Sequence, residues 1–261
     1  MRVVTFASGS TGNCTLVSDS GCHILIDAGI SARRIKENLS ACSLTADDLS
    51  GILITHEHTD HVSGLKTLVK YHEFPIFAPR TVSNRLACTI AGVEACLCEI
   101  PISDTIGIGC FEITAFPTPH DTEESVGYRV EGEAVFAIAT DMGMVTQEVY
   151  DGLCGADCAI IESNHDVEML RNGPYPFFLK RRILSDKGHL SNEDCSLLVK
   201  DLARGGAQGI ILGHLSRENN TPSLAFAASK PSVEGTGAFL AVAPMAERLT
   251  FTFERQKACL A

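Results

Sequence analysis

The chain has 261 residues, of which 45% are hydrophobic and 20% charged, with 32 acidic against 21 basic side chains. That balance excludes a disordered or collagen-like chain, and a chain this long buries enough apolar surface to fold without covalent staples. The formal net charge of −11 argues against any broad attraction to phosphate backbones, so a nucleic-acid partner would have to meet a local basic cluster.

The first part is rich in predicted strands. Residues 3–6, 14–17 and 23–27 are short β-prone runs separated by Gly, Ser, Asn and Asp turns. Residues 30–39 have helical spacing. Residues 51–55 form a continuous apolar strand that runs into a histidine-rich segment, and 62–71 reads as a helix with Val62, Leu65, Leu68 and Val69 on one face. A strand at 75–78 and a helix at 81–91 follow. Residues 110–116, 125–130 and 134–140 are strands of a second β-rich stretch, followed by a helix at 145–153 and a strand at 158–163. Residues 191–202 read as a helix opened by Ser191 with Asp194 three positions on. A buried strand at 209–212 ends at Gly213-His214, and 239–243 and 249–253 are closing strands. Two strand-rich halves, each with helices, predict two packed sheets with helices outside, in one domain over 1–261.

No apolar run reaches membrane-spanning length, and the opening MRVVTFASGS lacks the features of an export signal. The expected setting is the cytoplasm, with the eleven cysteines reduced. The pairs Cys96/Cys98 and Cys154/Cys158 read as small buried hydrophobes, because neither has the second matching pair that a structural zinc site requires.

The chemistry is concentrated in Thr55-His56-Glu57-His58-Thr59-Asp60-His61. Four ligand-type side chains lie directly after an apolar strand, where the chain can turn several of them into one pocket. Imidazole and carboxylate together suit zinc, iron or manganese. One such motif holds too few donors for two cations, so others should stand at the ends of other strands. Asp27, His120, Asp141 and His214 all occupy that position, at the exit of a strand into a loop.

The order Asp27, His56-x-His58-x-Asp60-His61, His120, Asp141, His214 resembles the five motifs of the metallo-β-lactamase superfamily over nearly the whole chain. Within it, Ser8-Gly9-Ser10-Thr11-Gly12-Asn13-Cys14, Glu162-Ser163-Asn164-His165-Asp166 and Gly188-His189-Leu190-Ser191-Asn192 resemble the YycJ family, also called WalJ or VicX. The resemblance implies an αββα four-layer α/β sandwich. It implies a cytoplasmic, two-metal-dependent hydrolase, a phosphodiesterase or DNA exonuclease using a metal-bridging hydroxide. His56, His58 and His120 would hold one divalent metal (Zn, Mn or Fe). Asp60, His61 and His214 would hold the other, with Asp141 as the bridge. Asp27 would orient the ligand loop, and His189 would donate a proton or touch phosphate. The C-terminal motifs are also similar to the nuclease branch that includes RNase J. The large domain which those enzymes carry between the motifs matching Asp141 and His189 has no room in this chain.

Asn13 and Asn164 are candidate pocket donors, and His165 is a candidate at the same edge. His23 and His72 are expected to be packing or surface residues. Lys180, Arg181 and Arg182, with nearby Lys187 and Arg217, are the candidate phosphate contacts for DNA, single-stranded or with a free end. Hydrolysis of a small ester, thioester, lactone or cyclic phosphate would use the same metal site, and the acidic net charge favours that alternative. No membrane partner is expected.

Overall fold

The computed structural model describes residues 1–255. Among these, two seven-stranded sheets form the centre of the molecule. The first contains β1 (Arg2–Ala7), β2 (Cys14–Asp19), β3 (Cys22–Ile26), β4 (Gly51–Leu53), β5 (Ile76–Ala78), β6 (Leu97–Glu99) and the last strand of the chain, β14 (Leu249–Thr252), in the order β14-β1-β2-β3-β4-β5-β6. The second contains β7 (Thr105–Ile108), β8 (Phe111–Pro117), β9 (Val126–Glu131), β10 (Val135–Ala139), β11 (Cys158–Glu162), β12 (Gly209–Gly213) and β13 (Phe239–Val242), in the reverse of chain order. Strands β3 to β6 run parallel, as do β10 to β13, and the other neighbours are antiparallel.

The side-chain period of two sorts each strand between two cores. Ile24 and Ile26 of β3 face inward with Val3 and Leu53, against Ile113, Tyr128, Phe136, Ile160 and Ile211 of the other sheet. Leu25, Val4 and Phe6 face outward, onto Ile35 and Leu39 of α1 (Ala32–Ala41) and onto helices further along: α2 (Thr59–Val62) is a single turn, while Leu65 and Leu68 of α3 (Leu65–Leu68) and Val82 and Leu86 of α4 (Arg80–Thr89) join this packing. On the far side, Ile161, Ile210 and Leu212 pack on Val149 and Leu153 of α5 (Gln147–Leu153). Between β11 and β12 lie α6 (Val167–Asn172), α7 (Phe177–Ile183) and α8 (Asn192–Arg204), and α9 (Pro222–Val233) precedes β13. Leu198 and Leu202 of α8 and Ala225 of α9 complete that outer core. The architecture is the four-layer αββα sandwich that the motifs imply.

The expected helix at 62–71 is interrupted. Ser63 Oγ donates to the Gly29 carbonyl at 2.7 Å and the Gly64 amide donates to Ala28 O at 2.8 Å, so this turn leaves the helical ladder to hold the loop after β3. Strand β4 also ends early, because the Thr55 amide turns to the Asp27 carboxylate at 2.9 Å. Of the two cysteine pairs, Cys158 is buried, whereas Cys154 is exposed and Cys96 and Cys98 are half-buried, so the buried-hydrophobe reading fails for those three. No helix among the described residues is long and apolar enough to cross a membrane.

Candidate metal centre

The strands of both sheets end at one edge, and the predicted ligands converge there. Asp27, Asp141 and His214 stand just past β3, β10 and β12, all with left-handed backbone, at φ 61°, 56° and 53°. Non-glycine residues rarely adopt that conformation, and Asp, Asn and His tolerate it best. It turns the chain sharply at the strand end while leaving a functional side chain in place.

Asp27 is buried and accepts four contacts. Its Oδ1 takes the Thr55 amide, and Thr55 Oγ1 reaches both carboxylate oxygens at 3.0–3.1 Å. Its Oδ2 lies 2.7 Å from His61 Nδ1. That bond leaves His61 Nε2 directed to the centre, 3.2 Å from Asp141 Oδ2 and 3.6 Å from Asp60 Oδ2. Thr55 Oγ1 also lies 3.0 Å from His56 Nδ1, which leaves His56 Nε2 as the free donor. His120 Nδ1 is 3.3 Å from the Gly188 carbonyl, and its Nε2 is 3.7 Å from Asp141 Oδ1. His214 Nδ1 lies 3.0 Å from Asp141 Oδ2, and Nε2 lies 4.0 Å from Asp60 Oδ2. One carboxylate, Asp141, thus presents one oxygen to His120 and the other to His61 and His214.

Three groups emerge in which the ligand atoms lie within 4.8 Å of one another: His56, His58 and His120; Asp60, His61 and His214; and His56, His61 and Asp141. All seven predicted ligands are in these groups. A fourth group joins Asp141 and His214 with Glu162 and His189. His58, at the N-cap of α2, and His189 are half-buried, and the remaining imidazoles of these groups are buried. The cysteines play no part in any such group among the described residues.

The donor set fits divalent cations. His56 Nε2 is buried without a hydrogen-bond partner, and the close contacts of Asp141 Oδ2 with His214 Nδ1 and His61 Nε2 are not aligned as hydrogen bonds, an arrangement that is costly unless something else satisfies those atoms. Burial, reinforced by the neighbouring imidazoles, drives His56 well below the ordinary histidine range, and burial lowers His120 as well. Both are therefore neutral and have a lone pair to give. Burial also disfavours charge on His61 and His214, but Asp27 and Asp141 around the first and Asp141 beside the second raise both. Burial works against Asp141 too, yet His214 and His61 hold it well below the usual carboxylate range. The carboxylates that favour positive charge at these rings would equally favour a cation.

His189 sits between the two groups, its ring 5.3 Å from that of His120 and 5.5 Å from that of His214. Its Nδ1 is 2.7 Å from Glu162 Oε1, and Glu162 Oε2 accepts the Met142 amide at 2.8 Å. Burial lowers His189, but Glu162, its hydrogen bond and Asp141 prevail and raise it to about 9. In sequence Glu162 stands only as part of a family motif, with no role of its own; its further signal was an acid at the end of an otherwise apolar strand. Asp121 was missed as well. Its Oδ1 is 3.2 Å from His120 Nε2 and 3.9 Å from His58 Nε2, and its Oδ2 pairs with Arg182.

The two asparagines hold backbone. Asn13 Oδ1 accepts the Gly9 amide at 2.9 Å, and Nδ2 reaches Asp60 O and lies 3.0 Å from His61 Nε2. Asn164 Nδ2 donates to the His214 carbonyl, whose amide donates to Ser8 Oγ, both at 2.9 Å. His165 is buried, joins none of the ligand groups, and has neither ring nitrogen hydrogen-bonded; burial takes it down to about 4, so the ring is neutral. Of the basic run on α7, Lys180 Nζ is bound to the carbonyls of Arg171 and Gly173 at 2.7 and 2.8 Å, whereas Arg181 and Arg182 are exposed. His72 pairs with Asp47 at 2.8 Å and His23 with Ser18 at 2.9 Å, both away from the centre.

Comparison with known proteins gives the family and the fold. The profile of the Beta-lactamase superfamily domain matches residues 23–214. The chain is 38% identical to the exodeoxyribonuclease YycJ of Bacillus anthracis over 84% of each chain. It is 36% identical to the exodeoxyribonuclease WalJ of Streptococcus pneumoniae, over 84% of this chain and 83% of that one. Solved structures with the same fold include zinc-bound PqqB from Methylobacterium extorquens, at a TM-score of 0.70 and 17% identity, and the metallo-β-lactamase fold protein YhfI from Bacillus subtilis, at 0.71 and 16%. Each alignment covers 97% of this chain and 100% of the other, and at such identities it speaks for the fold alone.

Proposed function

Because the chain belongs to the metallo-β-lactamase superfamily, in the family of the exodeoxyribonucleases YycJ and WalJ, we propose that it is a metal-dependent phosphodiesterase that shortens DNA from an end. The carrying observation is the pair of three-donor groups joined by Asp141, at the strand ends of a chain 38% identical to an exodeoxyribonuclease. His56, His58 and His120 would hold one divalent cation and Asp60, His61 and His214 the second, with the Asp141 carboxylate between the two sets. The mixed nitrogen and oxygen donors suit zinc, manganese or iron. When bound, such a pair acidifies a shared water towards neutrality and clamps the phosphoryl oxygens.

The chain's own residues do the rest. Asp27 fixes the His61 ring through Nδ1 and so fixes where Nε2 points. Asp60 is ionised and belongs to the ligand set, while its carboxylate remains partly exposed. Asn13, Ser8 and Asn164 hold the backbone of the ligand loops. With Nδ1 committed to Glu162, His189 carries its available proton on Nε2 at neutral pH, where a leaving oxygen can take it. Such an enzyme would work where DNA is, in the cytoplasm.

The test is a panel of end-labelled linear DNA, circular single-stranded DNA, RNA and small esters, run with zinc, manganese or iron(II), together with elemental analysis. Linear DNA should be shortened to nucleotides, the circle should survive, and two cations should be found per chain. Cutting of the circle at the same rate would overturn exonuclease action. Turnover of esters without DNA hydrolysis would overturn the phosphodiesterase reading.

A further inference from the structure

Two phenylalanines on the short helix α7 are almost fully open to solvent. Phe177 is 74% and Phe178 73% exposed. A large aromatic side chain left outside the core on a seven-residue helix is the kind of exposed apolar feature that marks an interaction site. Its neighbours are cationic: the Arg181 guanidinium lies 6.0 Å over the Phe177 ring, and Arg182 is one turn from Phe178. The helix is firmly mounted, since Lys180 ties it to the carbonyls at the end of α6.

Arg182 makes this surface continuous with the metal centre. It lines a cavity of about 370 Å³ with Phe177, Phe178, Arg181 and Ser185. It also lines a second one, about 170 Å³, which reaches His189, His214 and Asn164 past Tyr175. Its guanidinium pairs with Asp121, beside His120. The two phenylalanines and two arginines thus share a surface that opens, through Arg182, towards the proposed cations, in a chain whose net charge is −11.

We infer that α7 guides single-stranded DNA into the centre, with Phe177 and Phe178 stacking against bases and Arg181 and Arg182 holding phosphates. Stacking on aromatic side chains requires unpaired bases, tolerates any sequence, and needs phosphate-binding cations at intervals beside it. A lipid surface would also accept exposed phenylalanines. It would not require the aromatic pair to open, through Arg182, onto a catalytic cleft. The inference rests on the DNA reading above, and its test separates the two.

The chain contains no tryptophan, so Phe177→Trp makes a single fluorescent reporter at the site in question. The metal-loaded variant is titrated with a phosphorothioate oligothymidylate that resists hydrolysis, with a blunt duplex of equal length, and with vesicles of phosphatidylglycerol and phosphatidylcholine. The oligothymidylate should quench the tryptophan, and the duplex much less. In parallel, Phe177→Leu/Phe178→Leu should raise KM for long single strands on the order of tenfold with a smaller change in kcat, and Phe177→Tyr/Phe178→Tyr should restore it. Quenching absent while the wild type degrades DNA would overturn the platform and leave the nuclease reading standing. Quenching present without DNA hydrolysis would uphold the platform and overturn the nuclease. A blue shift on vesicles with no response to the oligothymidylate would assign the helix to membranes and overturn the inference.

Discussion

A single carboxylate, Glu162, decides what His189 can do. It is fully buried, accepts the Met142 amide with one oxygen and binds His189 Nδ1 with the other, so its hydrogen bonds go to that ring and the backbone. Replacing it by glutamine keeps the shape and removes the charge that favours imidazolium. Glu162→Gln should lower kcat on DNA by about 100-fold, within the usual range for general acid catalysis, and far less on bis-p-nitrophenyl phosphate, whose leaving group departs without a proton. His189→Ala should show the same selectivity and keep both cations. Equal losses on both substrates, or loss of metal from His189→Ala, would move His189 from proton donor to ligand. The seven proposed ligands could be picked out in sequence because each follows an apolar run, a pattern that survives without coordinates, and the structure brings them together. Glu162 and Asp121 could not, because their roles arise from contacts with residues far away in the chain, His189 and Arg182.

At the scale of elements, long apolar strands and capped helices were readable and short, irregular pieces were not. Helix α8 begins after Ser191, whose Oγ accepts the Asp194 amide at 3.0 Å, as its capping pattern predicts. Strands β6 and β7 are only three and four residues long, so although Ile106 and Ile108 of β7 alternate with exposed Thr105 and Gly107, neither run is long enough to stand out as a strand. Helix α7 follows two prolines and is only seven residues long, and α9 contains Pro231, so periodicity points away from both. The split between α2 and α3 has a tertiary cause in the bonds from Ser63 and Gly64 to the Ala28–Gly29 backbone. That junction is tight: a Cβ on Gly29 would sit 1.6 Å from the Asp60 carbonyl oxygen and 2.7 Å from the Asn13 amide. Gly29→Ala must push apart the two loops that carry Asn13 and Asp60, because neither contact is with a flexible side chain. We expect a loss of about 3 kcal/mol or more in denaturant unfolding, together with loss of the second cation by elemental analysis. Wild-type stability with two cations bound would show that the loops have slack.

For the whole molecule, the inner core draws on strands of both sheets, with the larger share from the second, so neither sheet has a complete hydrophobic environment alone. We therefore propose one cooperative unit, observed as a single calorimetric transition with and without chelator. Ligands saturating at about 100 times Kd add about 2.7 kcal/mol each, and a domain of this size shifts by about 2–4 °C per kcal/mol. Chelation of both cations should thus lower Tm by about 10 °C or more. Two separate transitions, or an unchanged Tm, would refute the cooperative, metal-linked unit. Each proposed ligand set also takes donors from both sheets: His56 and His58 with His120, and Asp60 and His61 with His214. Translation delivers these donors in a fixed order. The histidine-rich loop leaves the ribosome early, His120 follows once β8 is made, and His214 appears only after β10, β11 and β12. The first proposed donor set is thus complete once His120 is made, whereas the second waits for His214, so a second cation could be taken up only late in the maturation of the chain.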